Sequence, residues 1–425
     1  MKKHLDLKLP KGARVWLAYS GGVDSTMLLH LLASRKLARF AAIHVHHGLQ
    51  PRADAWARGC EQQCAALGVK CLVVRVQVDA NDPAGPEAAA RKARYAALAA
   101  HMGKDDLMLT AHHQDDQAET VLLRLLRGSG VEGLAAMRGV TPFGPGQLVR
   151  PLLGVPGAAI REYARAHHLD WIDDPHNVAP RYARSYLRRE IFPRLREHWP
   201  QAALSLTRAA HHAADAAQLL DELAQLDLGV DGAPPLLSCA RLLALSPARR
   251  ANLLRHWVRA RGYEVPGSEA IARITREVLS AREDAQPVLH CGAYEFRRYR
   301  DDLYLMEPLP AAPGKAELAW DGRGALALPA GCGRLVSSSR KPLELTVRFM
   351  RGGEKLKPAG DRHTRTLKHL FQEAAVPPWM RERVPLLYRD GKLLAVADAW
   401  LDGDWAGQLK RARVKIRWET VAGST

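Results

Sequence analysis

The stretch that most limits what this chain can fold into is Ser20 to Ser25, reading SGGVDS. It follows an apolar run, Val15 to Tyr19, and precedes an apolar helical pattern, Met27 to Leu32. A buried strand, a Gly-rich turn and a helix N-terminus in that order leave backbone N–H groups unpaired and aimed outward, which makes an anion site. Gly21 and Gly22 are expected at positive φ, where the backbone can approach a phosphate closely. Ser20, Ser25 and Thr26 add hydroxyl donors and are expected to help cap the helix. Val23 completes the loop. Asp24 is the odd member, because a carboxylate inside a phosphate cradle repels its ligand unless a divalent cation such as Mg²⁺ sits between them.

From Val15 onward the chain alternates β-rich apolar runs with helical stretches. Phe40 to Val45, Cys71 to Val76 and Leu107 to Thr110 read as buried parallel strands, and Asp54 to Leu67 and Glu87 to Met102 as helices. The pattern βαβαβαβ predicts an α/β fold, a doubly wound parallel sheet with right-handed crossovers. Ligands of such sheets bind at the carboxyl ends of the strands. Ser20 follows the first strand, His44, His46 and His47 end the second, and Ala111 to Glu119 follow the fourth.

That last stretch, AHHQDDQAET, is the second constellation. With a helix starting near Asp115, His112, Asp116 and Glu119 come from one strand-to-helix turn, and Asp116 and Glu119 share a helix face. Two carboxylates beside an imidazole, opposite a phosphate loop, can hold Mg²⁺ and a substrate ammonium. Asp24 and Asp116 are the metal candidates. Further along, Val121, Leu122, Leu125 and Leu126 are expected to form a buried stripe, with Gly128 and Gly130 ending the helix.

The balance of charge points to a partner. Lys plus Arg number 62 against 45 Asp plus Glu, a formal net charge of +17. That excess favours a polyanion, and nucleic acid before membrane, since no segment approaches eighteen consecutive apolar residues. Six cysteines in 425 residues are too sparse for a disulfide framework, and nothing at the N-terminus reads as a signal peptide. A cytoplasmic protein with reduced thiols is expected.

SGGVDS is neither a Walker A loop, which needs Lys after its glycines, nor a GxGxxG fingerprint. It resembles the PP-loop of the N-type ATP pyrophosphatase superfamily. SGGVDS, HVHHGL, AHHQDDQAETVLLRLLRGSGVEGLAAM and RPLL together resemble the tRNA(Ile)-lysidine synthetase family. The resemblance implies ATP as cosubstrate, with Ser20, Gly21, Gly22, Val23, Asp24, Ser25 and His44 at the nucleotide. It implies transfer of L-lysine to the wobble cytidine of a minor isoleucine tRNA with a CAU anticodon, through an adenylated cytidine. His112, Asp116 and Glu119 would then position substrate or lysine. Trp171 to Pro175 and Arg181 to Arg188 resemble the family's linker helix with its catalytic arginine. Ser185 stands where the family usually has Asn, and both Arg184 and Arg188 are carried as catalytic candidates. Oligomeric state stays open, a homodimer included.

Beyond Trp199 the composition shifts. Ala202 to Leu228 reads as one long helix without glycine, and Ser246 to Arg261 and Ser268 to Leu279 as capped amphipathic helices. Pro287 to His290, Ala293 to Tyr299 and Leu303 to Met306 read as a β-meander. Arg255, Arg259, Arg261, Arg273, Arg276, Arg297, Arg298 and Arg300 are available to phosphates on this reading. Pro308 to Gly314 is a Pro-rich linker. Arg340 to Arg383 then carries eleven Lys or Arg against five Asp or Glu, in a basic loop and a short helix stopped by the PPW turn at 377 to 379. Arg411 to Trp418 alternates in period two and reads as a final strand with Arg411, Arg413, Lys415 and Arg417 on one face, a backbone-binding stripe. The expected domains are 1–217, a PP-loop catalytic domain with its linker helix, 218–308, a small α+β tRNA-binding domain, and 315–425, a β-rich basic domain also similar to the family's.

Two other readings compete. A PP-loop tRNA thiolase would need catalytic cysteines or a cluster, and no CxxC occurs; Cys60 and Cys64, spaced i, i+4 in a helix, fit a core better. A non-enzymatic RNA-binding protein on a nucleotide fold would not need Asp24, Asp116 and Glu119.

Overall fold

The computed structural model describes residues 13–48, 51–79, 81–83, 85–173, 183–282, 285–329 and 331–420. Contacts divide the chain into two compact units, Met1–Leu220 and Asp221–Thr425.

The first unit runs β1 (Val15–Ala18), α1 (Val23–Ala33), β2 (Phe40–His46), α2 (Ala53–Ala66), β3 (Lys70–Arg75), α3 (Pro86–Ala100), β4 (Leu107–Leu109) and α4 (Gln114–Leu126). It continues through α5 (Val131–Leu134), β5 (Val140–Phe143), β6 (Gly146–Val149), α6 (Gly157–Ala166), α7 (Ala183–Tyr186), a π-helical stretch (Leu187–Ile191), α8 (Phe192–His198) and the start of α9 (Ala202–Leu228), whose residues from Asp221 on belong to the second unit. The sheet order is β3-β2-β1-β4-β6-β5. β1 pairs in parallel with β2 and β4, β2 with β3, and β4 with β6.

Alternation along each strand sorts side chains into two cores. Val15, Leu17, Ala42, Leu107 and Leu109 pack with α1, α2 and α6 on one face. Trp16, Ala41, Ile43, Met108 and Leu148 pack with Leu98 of α3 on the other. Both faces are covered, so the strands read as continuous apolar runs. The expected doubly wound sheet is what forms, with one addition: β5 pairs antiparallel with β6 and forms that edge of the sheet. The order reverses between β1 and β4, so the turns after these two strands flank one crevice.

The long helix over 202–228 forms as expected. The buried stripe on α4 does not. Val121 is buried, but Leu125 and Leu126 are exposed, because α4 packs on the linker helices only through the turns that carry Ala118 and Leu122.

The second unit holds β7 (Leu236–Ser238), α10 (Cys239–Ala244), α11 (Pro247–Ala260), α12 (Ser268–Arg273), a π-helical stretch (Ile274–Leu279) and the meander β8 (Val288–Cys291), β9 (Tyr294–Tyr299), β10 (Asp302–Met306). These surround Trp257, whose indole N–H donates to Pro234 O at 2.8 Å. The remainder is β11 (Glu317–Trp320), β12 (Arg323–Ala327), β13 (Arg334–Ser338), β14 (Leu345–Arg348), β15 (Lys355–Leu356), β16 (Arg365–Thr366), α13 (Leu367–Glu373), α14 (Pro378–Arg381), β17 (Leu386–Arg389), β18 (Lys392–Val396), β19 (Trp400–Leu401), α15 (Gly403–Ala412) and β20 (Ile416–Glu419).

Two expectations fail here for identifiable reasons. The PPW turn does not stop α13, which ends at Glu373 with Ala375 at φ +55°; Pro378 instead opens α14. Arg411 to Trp418 is not one strand. Asp402 caps a helix by accepting the Trp405 N–H at 3.3 Å, and the helix runs through Arg411 to a left-handed stop at Arg413. Only Ile416–Glu419 pairs, with β13. The four basic residues are exposed, but they share no strand face.

Leu17 is fully buried beneath the first strand-to-helix turn. Leu17→Ala removes its packing and leaves a cavity, which should cost about 2–5 kcal/mol. Urea unfolding measures this, and a midpoint equal to wild type would contradict the two-core packing.

Candidate active site

β1 leads through Tyr19 and Ser20 into the glycine turn. Gly21 sits at φ +81°, and a Cβ there would lie 2.5 Å from Ile172 Cδ1 and 2.9 Å from Cys60 Sγ. Glycine is therefore required twice over, by conformation and by space. Gly22 does not share the first requirement. It is extended, φ −71° and ψ 163°, because it is the N-cap of α1. The hydroxyls also act otherwise than expected. Ser25 Oγ donates to Gly22 O at 3.0 Å and Thr26 Oγ1 to Gly21 O at 3.1 Å, so they brace the loop's carbonyls. No side chain caps the helix. The first-turn N–H groups of α1, Val23 and Asp24 among them, stay open to an anion. Ser20 Oγ lies 3.0 Å from Ser25 Oγ.

His44 supports the loop from behind, its Nδ1 3.0 Å from Tyr19 O, with burial holding the ring below the usual histidine range.

Across the crevice, α4 starts with a capping box. The His113 Nδ1 accepts the Asp115 N–H at 3.2 Å, and the Asp116 carboxylate accepts the His113 N–H at 3.1 Å. An accepting Nδ1 puts the proton on Nε2. That nitrogen lies 3.7 Å from Asp24 Oδ2 and 3.5 Å from Asp116 Oδ2, so His113 joins the two strand-to-helix turns. Gly157 makes room for this turn; a Cβ there would meet Asp115 Oδ2 at 2.5 Å.

The linker helices bring the counter-charge. Arg188 Nε donates to Glu119 Oε1 at 2.8 Å and Nη2 to Oε2 at 3.0 Å, and Nη2 reaches Asp116 Oδ1 at 3.2 Å. Arg184 lies one turn away, donating to Thr120 Oγ1 at 3.0 Å. Ser185 is buried between them in sequence. Asp174, Pro175, Arg181 and Tyr182 of the two linker stretches, and Leu49 of HVHHGL, lie outside the described residues.

Burial pushes the Asp24 carboxyl above the usual carboxylate range, against the pull of His113. Burial acts on Asp116 in the same sense, but His113, His112, the His113 N–H and Arg188 outweigh it and hold that carboxyl low. Glu119 is only 1% exposed, and burial drives it up while the Arg188 fork holds it back.

His112 sits beside Asp116, its Nδ1 2.8 Å from Thr110 Oγ1. Burial pushes it down to about 4; Asp116 opposes, and Arg150, Arg91 and Arg94 add to the depression. Arg91 and Arg94 place their guanidinium carbons 4.8 and 5.5 Å from the Tyr95 ring centroid. Arg150 donates to Arg138 O at 2.7 Å, and its Nε is buried without a partner. Among the described residues no carboxylate pairs with Arg91, Arg94 or Arg150. This basic wall and His113 are the parts of the site that sequence reasoning missed. His113 was findable as the N-cap three residues before Asp116; Arg91 and Arg94 of α3 and Arg150 after β6 lie far apart in sequence and carried no joint signal.

The metal candidates differ in kind. Asp24 Oδ1 is buried without a hydrogen-bond partner, whereas both oxygens of Asp116 are engaged. No group of three or more His, Cys, Asp or Glu able to hold a metal occurs among the described residues. One or two carboxylates completed by phosphate oxygens suit Mg²⁺. Cys60 and Cys64 are fully buried, burial pushing the Cys60 thiol up to about 12, so they are core residues and offer no reactive thiolate.

Of the eight arginines expected to serve phosphates in the second unit, several are held internally. Arg273 forks onto Glu277 at 2.9 Å through both nitrogens, Arg259 pairs with Asp221 at 3.1 Å, Arg276 with Glu277 at 3.3 Å and Arg297 with Glu295 at 2.6 Å. Arg298 donates to the carbonyls of Leu279, Ala281 and Arg300. No helix of the described residues is long and apolar enough to cross a membrane.

An uncapped helix N-terminus with an aspartate in its first turn, facing a histidine–carboxylate turn across the switch point of a parallel sheet, defines a PP-loop nucleotide site. The family model for the PP-loop domain matches residues 2–195, and those for the TilS substrate binding domain and the TilS substrate C-terminal domain match 237–304 and 345–418. The tRNA(Ile)-lysidine synthase of Alkalilimnicola ehrlichii is 46% identical over 395 residues, covering 90% of this chain and 88% of that protein. That of Xanthomonas campestris is 43% identical over 417 residues, 96% of each. The chain belongs to the tRNA(Ile)-lysidine synthase family. A U34-tRNA thiolase from Methanococcus maripaludis, solved with its [4Fe-4S] cluster, is a distant neighbour at 18% identity and TM-score 0.40, over 50% of this chain and 75% of that one.

The depressed His112 has a measurable consequence. Its pKa falls from 6.5 in the unfolded chain to about 4 in the fold, so between those values the unfolded state binds the extra proton. Wild type should lose stability relative to His112→Gln as pH drops from about 6.5 toward 4, and the gap should be constant above 6.5. Urea unfolding at pH 7.5 and 5 tests it; parallel losses in both proteins would contradict a neutral, buried His112.

Proposed function

We propose that the chain ligates lysine to the wobble cytidine of a minor isoleucine tRNA at the expense of ATP, through an adenylated cytidine, releasing AMP and pyrophosphate. The observation that carries this reading is the open N-terminus of α1 with Asp24 in its first turn, facing His113, Asp116, Glu119 and Arg188 across the crevice.

In this reading the open N–H groups of Val23 and Asp24 and the Ser20 hydroxyl take the β and γ phosphates. The cytosine carbonyl oxygen attacks the α phosphorus and pyrophosphate leaves. The lysine ε-amine then attacks the activated ring carbon and AMP departs. Mg²⁺ would be held by Asp24 through its unpartnered oxygen, with Asp116 beside it, and supplies charge neutralisation between carboxylate and phosphate. Asp116 and Glu119 supply the negative charge that receives the lysine ammonium. Before attack that ammonium must lose a proton, and two groups on this turn can take it: the neutral His112 ring and the Glu119 carboxylate. Arg188 is occupied by its bonds to the two carboxylates. Arg184, with a hydroxyl as its partner and no carboxylate among the described residues, is the arginine available to charge developing on phosphorus.

The three-part division 1–217, 218–308 and 315–425 goes with this reading, the last two parts carrying tRNA. So does the reducing cytoplasm, where all six free cysteines stay thiols.

Asp24→Asn should abolish tRNA-dependent pyrophosphate release while tRNA binding stays near wild type; near-normal turnover at ordinary Mg²⁺ would refute the metal role. The order of steps is separately testable. With α-labelled ATP and no lysine, label should appear on tRNA, and label on lysine would mean that the amino acid is the activated species.

A further inference from the structure

The second unit contains a cavity of about 470 Å³ between β10 and the α13–α14 turn. Five aromatic side chains line it: Tyr304, Phe371, Trp379, Trp400 and Trp418. Its size is that of a small-molecule pocket, enough for one nucleobase and its ribose. We propose that this cavity takes the unpaired base at the 3′ end of the tRNA, an inference that rests on the tRNA reading above.

The walls are built to present a ring. Arg297, anchored at 2.6 Å on the buried carboxylate of Glu295, places its guanidinium carbon 5.2 Å from the Trp379 ring centroid. Tyr304 meets the same indole edge-on, 5.1 Å between centroids at 86°. Trp418 is held by its N–H, which donates to Cys332 O at 2.7 Å. An indole fixed by a cation and a second ring is a stacking surface with little conformational freedom left to lose.

Charge decides what enters and what stays outside. Arg300 and Arg381 lie with guanidinium carbons 5.4 and 5.7 Å from the ring of Tyr299, the last residue of β9. Arg381 donates to the Tyr299 hydroxyl at 3.0 Å and to Val376 O at 2.9 Å, and Val376 lines the cavity. Arg261 lines it too. Among the described residues none of Arg261, Arg300 and Arg381 is paired with a carboxylate. These cations suit a ribose-phosphate chain passing the mouth. The interior does not suit phosphate: it is aromatic and aliphatic, and its one carboxylate, Asp398, would repel an anion. Asp398 can accept from the exocyclic amine of an adenine or a cytosine. A tRNA exposes unpaired bases in its loops and at its 3′ end. Only the 3′ end is a free strand terminus, whose base can enter a cavity without the chain having to leave through the far wall, and it is the end we assign to this cavity.

The test compares full-length tRNA with the same tRNA trimmed of its unpaired 3′ nucleotides, against wild-type protein, Trp379→Ala and Trp379→Phe. Wild type should bind trimmed tRNA roughly 5- to 150-fold more weakly, the range for stacking one base on an aromatic ring. Trp379→Ala should bind both tRNAs alike and about as weakly as wild type binds the trimmed one, whereas Trp379→Phe should restore most of the difference. Lysidine formation by Trp379→Ala should show a raised KM and an unchanged kcat. Equal binding of the two tRNAs by wild type would overturn the proposal. So would a Trp379→Ala loss of equal size for both, which marks a structural tryptophan. Tryptophan emission that changes with protein concentration, or on deletion of residues 421–425, in the absence of RNA would mean that another copy or the chain's own end fills the cavity, and also overturns it. A failure of the catalytic reading would look different: no tRNA-dependent AMP at all, with the 3′-end dependence of binding intact.

Discussion

Three carboxylates meet at the carboxyl ends of β1 and β4, and the site exists because one guanidinium and one imidazole N–H are there to receive them. Asp116 and Glu119 are nearly out of water, and buried carboxylates either pair or protonate. Arg188 forks onto Glu119 and reaches Asp116, so it helps to hold the Asp116 carboxyl low and resists the rise that burial drives in Glu119. The His113 Nε2–H lies between Asp116 and Asp24. Asp24 alone retains an unpartnered oxygen, and its repulsion from the neighbouring carboxylates is what a cation would relieve. Loop, helix and linker are thus held by a single electrostatic arrangement.

Much of this was legible in the sequence because both faces of the sheet are covered. Val15 to Tyr19, Phe40 to Val45 and Leu107 to Thr110 read as unbroken apolar runs for the reason that they are buried on two sides. The hexapeptide and the HHQDDQAET turn were readable because each lies within one local segment. What escaped depends on distance along the chain or on ambiguous period. Arg91, Arg94 and Arg150 converge on Tyr95 from two elements. The Arg411 to Trp418 alternation suits a strand by period two, yet Asp402 begins a helix that carries the first of its arginines. Leu125 and Leu126 satisfy a helical stripe, but both stay exposed.

The second unit shows why a charge count alone says little about where a polyanion binds. An excess of seventeen positive charges is a property of the whole chain. Arg259, Arg273, Arg276 and Arg297 are neutralised by carboxylates a few ångströms away, and Arg298 is consumed by three carbonyls. Among those not paired with a carboxylate, Arg261 lines the aromatic cavity and Arg300 lies against the Tyr299 ring.

The π-helical stretch Leu187–Ile191 sits between two ordinary helical turns, with Leu187 and Phe192 packed against Ala118 of α4. A π turn carries one residue more than an α turn over the same span. Without that residue the apolar anchors at the two ends would fall out of phase by about 100°. The linker would then have to give up either its seat on α4 or the direction in which Arg188 points. Chain length at this spot is therefore as much a determinant of the active centre as the identity of any side chain in it: a single-residue deletion here, changing no functional group, would act as an active-site lesion.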